Sequence, residues 1–255
     1  MLTKQRIKFI QSLSEKKNRS ESGLFVAEGV KLVEEILHSD LTIETLYATH
    51  QWADSHSGLL QNKQIVLELI TEGELDRISL LKTPNQVLAL VCIPQPEVSA
   101  VQLKEQLILA LDDIRDPGNM GTIIRIADWF GIEHIVCSES SVDAYNPKVV
   151  QATMGSIFRV KIHYCNLQSY LSGLEKGIPV YGALLEGEDI YKQNLTQNGV
   201  IVIGNESRGI SIEVQQYVTK KIMIPSFAIR SDSHAESLNA SIATSILCSE
   251  FRRRG

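Results

Sequence analysis

The stretch LILALDDIRDPGNMGTIIRIADWFG, residues 107–131, passes from a short apolar run through a polar loop into an amphipathic segment. The apolar run at 107–111 predicts a buried strand, and apolar residues recur at helical spacing beyond the loop at Ile123, Ile126, Ala127 and Phe130. A strand that leads through a loop into a helix is the repeating unit of open α/β sheets. This stretch therefore decides the fold class, which is α/β.

The same alternation continues to the end of the chain. Apolar runs predict strands at 107–111, 134–137, 158–162, 179–183, 200–203 and 221–224. Helical patterns lie between or after them at 122–130, 147–154, 167–176, 212–218 and 238–252. Such buried strands, separated by helices, predict a largely parallel sheet covered on both faces.

The first 95 residues predict a smaller α/β domain. We expect helices at 3–14 and 30–37, a polar loop at 16–22, and strands at 24–27, 43–47, 65–69 and 87–92. Thr71 and Glu74 have the spacing of a capping box at a helix start. Two prolines within 94–100 favour an extended connection. The predicted organisation is a domain at 1–95, a linker at 96–103 and a second domain at 104–255.

Composition narrows the class of protein. The four cysteines stand far apart without a Cys-x-x-Cys pair, at Cys92, Cys137, Cys165 and Cys248, which favours a reducing compartment over a disulfide framework or a zinc site. No apolar run approaches the length of a membrane helix or a signal peptide, so we expect a soluble, cytoplasmic protein without a membrane partner. Dinucleotide and Walker A signatures are absent from the sequence.

Charge is unevenly distributed along the chain. The net charge of −5 argues against a protein that coats nucleic acid over its whole surface. Residues 1–20, however, hold six cations and one anion. This segment either contacts phosphates or forms a solvated helix face, and the sequence leaves both interpretations open.

Three polar junctions follow predicted strands, at the edge where open α/β sheets bind ligands. In the first, Arg125 points away from the apolar stripe of its helix, where it either holds a phosphate or ribose or pairs with Asp112 or Asp128. In the second, Gly204 allows close backbone approach beside Asn205 and Glu206, unless the segment is a plain surface turn.

The third junction precedes the last predicted helix. Ser237 and Asn239 either contribute to a polar site or cap that helix. A lone histidine in the preceding loop, His234, is more typical of a solvated residue than of a catalytic one.

Motifs stand at all three junctions in a fixed order. They are Asp116-Pro117-Gly118-Asn119 with Gly121, Arg125, Ala127 and Gly131, then Gly204-Asn205-Glu206 with Gly209, then Ile224-Pro225 with Glu236-Ser237-Leu238-Asn239. Together they resemble the SpoU (TrmH-type) branch of the SPOUT RNA methyltransferases. The first half of the chain, with residues 21–29, resembles the ribosomal-protein-like (L30e-like) substrate-binding domain of the ribosomal RNA enzymes in this group.

The resemblance implies an enzyme that moves a methyl group from S-adenosylmethionine to a ribose 2′-hydroxyl, without a metal. It implies a deep trefoil knot, a homodimer with the active site near the interface, and RNA as substrate, which we expect to be ribosomal (23S-type) RNA. The implied cofactor-binding residues are Ala183, Leu184, Gly204, Asn205, Ile224 and Leu238. The implied catalytic residues are Asn119, Arg125, Glu206, Ser237 and Asn239.

Arginine is a poor general base because its pKa exceeds about 12. We therefore expect Arg125 to orient the hydroxyl and to activate it electrostatically. Two departures from the family pattern affect the substrate contacts. Gln151 stands where the family usually has Arg, and the loop at 226–235 is longer than common versions, with Arg230, Asp232 and His234 as its additional polar residues.

Three other functions remain open from the sequence. A transfer RNA target is the main alternative within the same class of enzyme. A non-catalytic RNA-binding factor in ribosome assembly is the alternative from another class. A resistance enzyme that acts on one ribosomal nucleotide would use the same scaffold.

Overall fold

The computed structural model describes residues 1–60, 65–96, 106–228 and 237–253. It divides into two compact units. The first comprises Met1–Gln95 and Asp143–Arg159, and the second comprises Pro96–Val142 and Val160–Gly255. The segment Asp143–Arg159 lies inside the predicted second domain in sequence, yet its contacts group it with the first unit.

The described residues form eleven α-helices and ten strands. The helices are α1 (Lys4–Ser12), α2 (Lys16–Ser22), α3 (Val30–Leu37), α4 (His50–Ser55), α5 (Ser57–Leu60), α6 (Glu72–Ile78), α7 (Pro117–Trp129), α8 (Pro147–Thr153), α9 (Leu167–Ser172), α10 (Ile212–Gln215) and α11 (Ala240–Arg253). The strands are β1 (Leu24–Glu28), β2 (Ile43–Ala48), β3 (Leu67–Leu69), β4 (Val87–Cys92), β5 (Leu107–Leu111), β6 (His134–Ser138), β7 (Lys161–Cys165), β8 (Val180–Asp189), β9 (Gly199–Ile203) and β10 (Lys220–Met223). Among the described helices, none has the length and apolar character needed to cross a bilayer.

Several predicted elements are confirmed at the predicted bounds, namely α3, β4 and β5. The capping box is also confirmed, because Thr71 Oγ1 accepts from the Glu74 amide at 3.2 Å and Glu74 Oε2 accepts from the Thr71 amide at 3.1 Å. Glu74 further accepts from the Leu2 amide at 2.7 Å. The capping box thus begins α6, and its glutamate also binds the backbone at Leu2.

Two local predictions are wrong. Residues 16–22 form helix α2 rather than a polar loop, because the apolar stripe that identifies a helix is replaced there by one buried arginine, Arg19. The strand predicted at 158–162 begins only at Lys161, since Ser156–Phe158 forms a short 3-10 helix. Helices α4 and α5 were not predicted, because their ten residues lack a continuous apolar stripe.

The first unit has a four-stranded sheet with the order β1-β4-β2-β3. Its pairs are antiparallel except for β2 with β3. The buried residues of α1 and α6, including Ile10 and Ile78, pack on one face together with Tyr47 and Leu88. The predicted small α/β domain is therefore present as a packed core of its own.

The basic segment is partly used inside this unit. Arg19 is 1% exposed; its guanidinium donates to Asp143 Oδ2 at 2.5 Å and to the carbonyls of Leu13 and Ser14 at 2.7 and 2.9 Å. Arg6 donates to Glu44 at 2.8 Å and to the Tyr47 hydroxyl. The exposed cations of the segment are the lysines, Lys4, Lys8, Lys16 and Lys17.

Gln151 on α8 also has a structural contact within the first unit. Its side-chain amide donates to the Glu28 carbonyl at 2.9 Å, at the end of β1. The residue that replaces the usual family arginine therefore joins α8 to the sheet.

We predict that Arg19→Ala lowers the free energy of unfolding by about 3 kcal/mol, because it leaves a partly buried carboxylate oxygen of Asp143 and two carbonyls without their donor. Urea unfolding followed by circular dichroism measures the change. Lys17→Ala is the control, since Lys17 is exposed and its ammonium forms a weak surface ion pair with Glu21, at 3.9 Å. Equal stability of the two variants would contradict the prediction.

The second unit contains a fully parallel six-stranded sheet with the order β10-β8-β9-β5-β6-β7. The central strands are buried along their whole length, as expected for a sheet covered on both faces. Helices α7 and α11 run parallel to each other, since Asn239 bonds to Asn119 at their starts and Arg252 bonds to the Phe130 carbonyl at their ends. The predicted parallel α/β sheet is confirmed.

Two buried histidines face each other on neighbouring strands of this sheet. His134 Nδ1 lies 2.9 Å from His163 Nε2, and His163 Nδ1 lies 3.2 Å from the Pro96 carbonyl. Burial lowers the pKa of both imidazoles; Lys161 lowers the pKa of His134 further, and His134 lowers that of His163 further. The pair is therefore neutral in the folded protein near neutral pH.

We predict that the free energy of unfolding decreases as the pH falls below about 6.5, the ordinary histidine pKa. In that range the unfolded chain protonates these imidazoles before the folded chain does, so it binds more protons and is favoured. Urea midpoints at pH 7.5 and 5.5 measure the slope. His134→Asn is expected to flatten it, whereas His38→Gln, at an exposed position, leaves it unchanged. Identical slopes in both variants would refute the assignment.

Candidate active site

The three polar junctions meet at one edge of the second unit. Helix α7 begins directly after the loop that follows β5, with Asp116 as its cap and Pro117 in its first turn. The Asp116 carboxylate accepts from the Asn119 amide at 2.8 Å. Both residues stabilise this helix start. Proline has no amide hydrogen to satisfy, and the aspartate side chain accepts from a free backbone amide. The side chain of Asn119 is therefore held at a defined place.

A chain of hydrogen bonds links the junctions. Asn239 Nδ2 donates to Asn119 Oδ1 at 2.9 Å, and Asn119 Nδ2 donates in turn to Glu206 Oε1. A carboxylate can only accept here, so it fixes which end of the Asn119 amide faces it. We call Asn239, Asn119 and Glu206 the polar chain. It joins two helix starts to the turn after β9.

Asn239 performs both roles that the sequence left open. Its Oδ1 accepts from the amides of Ser241 and Ile242 at 3.0 and 3.3 Å, which caps α11. Its Nδ2 is then free to reach Asn119. The oxygen of the Asn239 side chain thus caps the helix, and its nitrogen contributes to the polar chain.

Glu206 stands in a tight turn whose ends are bonded to each other. Asn205 N donates to the Gly209 carbonyl at 3.0 Å, and Gly209 N donates to the Asn205 carbonyl at 2.8 Å. The Asn205 side chain accepts from the amides of Ser207 and Arg208, and its Nδ2 donates to the Asp113 carbonyl at 2.9 Å. In this structure, the Asn205 side chain therefore stabilises the turn to which it belongs.

Gly204 has no space for a side chain. A Cβ at this position would lie 2.2 Å from the carbonyl carbon of Gly209 and 2.3 Å from the amide nitrogen of Ile210. Both are backbone atoms that cannot rotate away. Glycine is required here so that the strand end can pass close to the turn.

The pairing of β8 with β10 contains a register shift. Lys221 of β10 pairs with Gly182, whereas the next residue, Ile222, pairs with Glu188. Residues 183–187 consequently form an excursion between two anchored stems. Gly187 lies against the Ile222 backbone, where a Cβ would approach the carbonyl carbon to 2.4 Å.

The predicted cofactor-binding residues lie on this excursion and on strand ends. Ala183 and Leu184 are half-buried within the excursion, and Ile224 is half-buried just after β10. Leu238 is 46% exposed immediately before α11. An apolar excursion beside a glycine that admits close backbone approach suits an adenosine-type ligand held through backbone groups.

The structure does not bring Arg125 into the polar chain. Its side chain is exposed on α7, and among the described residues Asp112 forms no ion pair with it. Asp112 instead accepts from the Ser211 amide at 2.7 Å. Ser237 is exposed, two residues before Asn239. Glu236, Arg230, Asp232 and His234 lie outside the described residues.

The sequence reading missed Asp113. Its carboxylate accepts from Arg115 at 2.9 Å and from Arg208. Partial burial raises the pKa of Asp113, but these arginines and Ser140 outweigh burial, so the pKa lies below its ordinary value. No periodicity marks such a residue, because two of its contacts, with Asn205 and Arg208, are made by a segment more than 90 residues away.

A cavity of about 690 Å³ lies beside the turn, at the carboxyl ends of β5, β6 and β7. Asp113, Arg115, Arg208 and Glu213 are among its lining residues, whereas Asn119 and Glu206 are not. The cavity is therefore lined by residues of this turn but not by the polar chain.

Comparison with known proteins places this geometry in a family. Residues 106–249 match the SpoU rRNA Methylase family, and residues 4–89 match the MRM3-like substrate binding domain. The chain belongs to the SpoU rRNA methylase family. The resemblance of the three motifs is thereby confirmed.

Similar proteins cover nearly the whole chain. A Bacillus subtilis protein named 23S rRNA (guanosine(2553)-2'-O)-methyltransferase RlmP is 28% identical, with 97% of this chain and 96% of its own covered. A structure from Porphyromonas gingivalis, assigned to the TrmH family of RNA methyltransferases, has a TM-score of 0.90 at 39% identity and full coverage of both chains. The AdoMet-bound rRNA methyltransferase from Sinorhizobium meliloti has a TM-score of 0.85 at 29% identity, with 99% and 96% covered.

We predict that Gly204→Ala weakens S-adenosylmethionine binding at least about tenfold, because the added methyl group would displace the backbone of Gly209 and Ile210. Isothermal titration calorimetry measures the affinity, and a thermal scan checks folding. Gly73→Ala is the matched control, since its Cβ meets nothing within 4 Å. Unchanged affinity in a folded Gly204→Ala protein would exclude close approach at this position.

Proposed function

We propose that this protein methylates a ribose 2′-hydroxyl of ribosomal RNA with S-adenosylmethionine as donor. The observation that carries the proposal is the polar chain, which gathers Asn119, Glu206 and Asn239 beside the Gly204 turn. Membership of the SpoU rRNA methylase family and the matched substrate binding domain support it. So does the activity named for the Bacillus subtilis relative.

The described residues fit the donor. Backbone groups at Gly204, Ile224 and Leu238 would hold it, with Ala183 and Leu184 along its apolar parts. When bound, it supplies a methyl group on a positively charged sulfur. Because a ribose hydroxyl is a weak nucleophile, the protein must position it and stabilise the charge that develops as its proton leaves.

The polar chain supplies the positioning. Glu206 Oε1 is occupied by Asn119, whereas Oε2 has no hydrogen-bond partner among the described residues. That oxygen can accept a hydrogen bond from the ribose hydroxyl. Helices α7 and α11 both begin at this site, and their starts favour negative charge. The positive ends of the two helices thus offset the negative charge that develops on the ribose oxygen as Glu206 Oε2 takes up its proton.

Arg125 has a separate role in the proposal. Its planar guanidinium orients the ribose or its phosphate and stabilises the attacking oxygen. Arg125 and Trp129 lie one turn apart on the exposed side of α7, and Trp129 is 84% exposed. We propose that this exposed side, with Trp129 as its large apolar residue, contributes to a homodimer interface, where Arg125 would be close to an active site.

The substrate proposal rests on the first unit. Its exposed lysines at 4, 8, 16 and 17 give a cationic surface on α1 and α2 for RNA phosphates. Ribosomal RNA in the cytoplasm is the substrate and compartment that we propose. The deep knot in the second unit belongs to the same proposal, and the path of β8 beside β10 is consistent with it.

The test is transfer of a labelled methyl group to total RNA, followed by mapping of 2′-O-methyl sites. We expect one principal site in ribosomal RNA. Labelling confined to transfer RNA would replace the substrate, and RNA binding without transfer would favour an assembly factor.

We predict that Arg125→Lys lowers the single-turnover rate at least about tenfold, because lysine lacks the planar two-point contact. The rate is measured at saturating donor and RNA. Arg253→Lys, an exposed arginine paired with Glu250 at the end of α11, serves as control. Full activity of Arg125→Lys would reject the role assigned to this guanidinium.

A further inference from the structure

Asp113 has an unusual backbone conformation. Its φ is +58°, in the left-handed region, and among the described non-glycine residues only Gln86 and Met154 share this property. Glycine adopts this region most easily, and among the other residues aspartate and asparagine tolerate it best. An aspartate in this conformation, beside a candidate active site, points to a role for its side chain.

Asp113 forms hydrogen bonds with several residues at once, and we call this group of contacts the hub. Oδ1 accepts from Arg115 Nε at 2.9 Å, and Oδ2 accepts from Arg208. Asn205 Nδ2 lies 2.9 Å from the Asp113 carbonyl and 3.4 Å from Oδ2. The Asp113 amide donates to Ser138 Oγ at 2.8 Å, which anchors the hub to the end of β6.

These contacts act on the turn that carries Glu206. Asn205 and Arg208 flank Glu206 on its two sides, and both bond to Asp113. Just beyond the turn, the Ser211 amide donates to Asp112 Oδ2 at 2.7 Å. The two consecutive aspartates after β5 therefore hold both halves of the turn after β9.

We propose that Asp113 is a positioning residue, which holds the Asn205–Gly209 turn so that Glu206 faces Asn119. The inference rests on the proposed function and extends it to a residue outside the polar chain. Asp113 touches neither Asn119 nor any group to which we assign the reaction. It acts through Arg208 and Asn205.

A contribution to stability alone does not account for the arrangement. Arg115 and Arg208 have side chains that are 63% exposed, and pairs of this kind add little to folding free energy. Geometry is more sensitive, because a displacement of about 1 Å at a catalytic group can reduce a rate about a hundredfold.

Asp113→Gly separates a positioning role from a contribution to stability, since glycine accepts the left-handed backbone and lacks the side chain with its carboxylate. We expect the urea midpoint to stay equal or rise, kcat for methyl transfer to fall about tenfold or more, and KM for RNA and donor affinity to stay within twofold. Gln86→Gly is the matched control, because it places glycine at another position with a left-handed backbone, in the first unit. It is expected to leave kcat unchanged.

A double variant tests the route of the effect. If Asp113 acts through Arg208, then Arg208→Ala lowers kcat similarly and the double variant Asp113→Gly/Arg208→Ala is no slower than either single variant. Multiplied losses would overturn this route. If Asp113→Gly is unstable, Asp113→Asn provides the same readout, because asparagine tolerates the left-handed region.

The outcomes separate the two proposals. Active wild-type protein together with an Asp113→Gly kcat within twofold overturns the positioning role and leaves the proposed function intact. Wild-type protein that transfers no methyl group to any RNA overturns the proposed function, and the positioning role with it.

Discussion

The hydrogen bonds from Asn239 through Asn119 to Glu206 determine the arrangement of the second unit's functional edge. They connect segments that are far apart in sequence, and each link is fixed by the one before it. The cap of α11 sets the Asn239 amide, that amide sets Asn119, and Asn119 meets the carboxylate. Because each bond orients the group that makes the next, the three side chains are held as a linked set.

The parallel sheet makes this linkage possible. Strands β5 and β9 are neighbours and run in the same direction, so the loops that follow them emerge side by side. Asp112 and Asp113 follow β5, whereas the Glu206 turn follows β9. The hydrophobic core thus determines which polar segments meet, although it contributes none of their chemistry.

Periodicity predicted most of the fold because the buried strands are continuous apolar runs and the longer helices carry apolar stripes. It failed at α2, where Arg19 is buried through an ion pair and carbonyl contacts that no hydropathy pattern reveals. Motif resemblance predicted Asn119, Glu206 and Asn239 as site residues, and they lie together. It did not predict Asp113, because a left-handed conformation and pairing with the distant Arg208 arise only in the folded chain.

The β8 excursion at 183–187 has a consequence for ligand capture. Both of its stems are paired with β10, and its last glycine touches the β10 backbone. A segment anchored in this way has few alternative shapes, because moving it would break sheet pairing on either side. The donor that we propose to bind there would meet a surface already in its final form, so little conformational freedom would be lost on binding. Rigidity of the sheet would thereby favour binding at its edge.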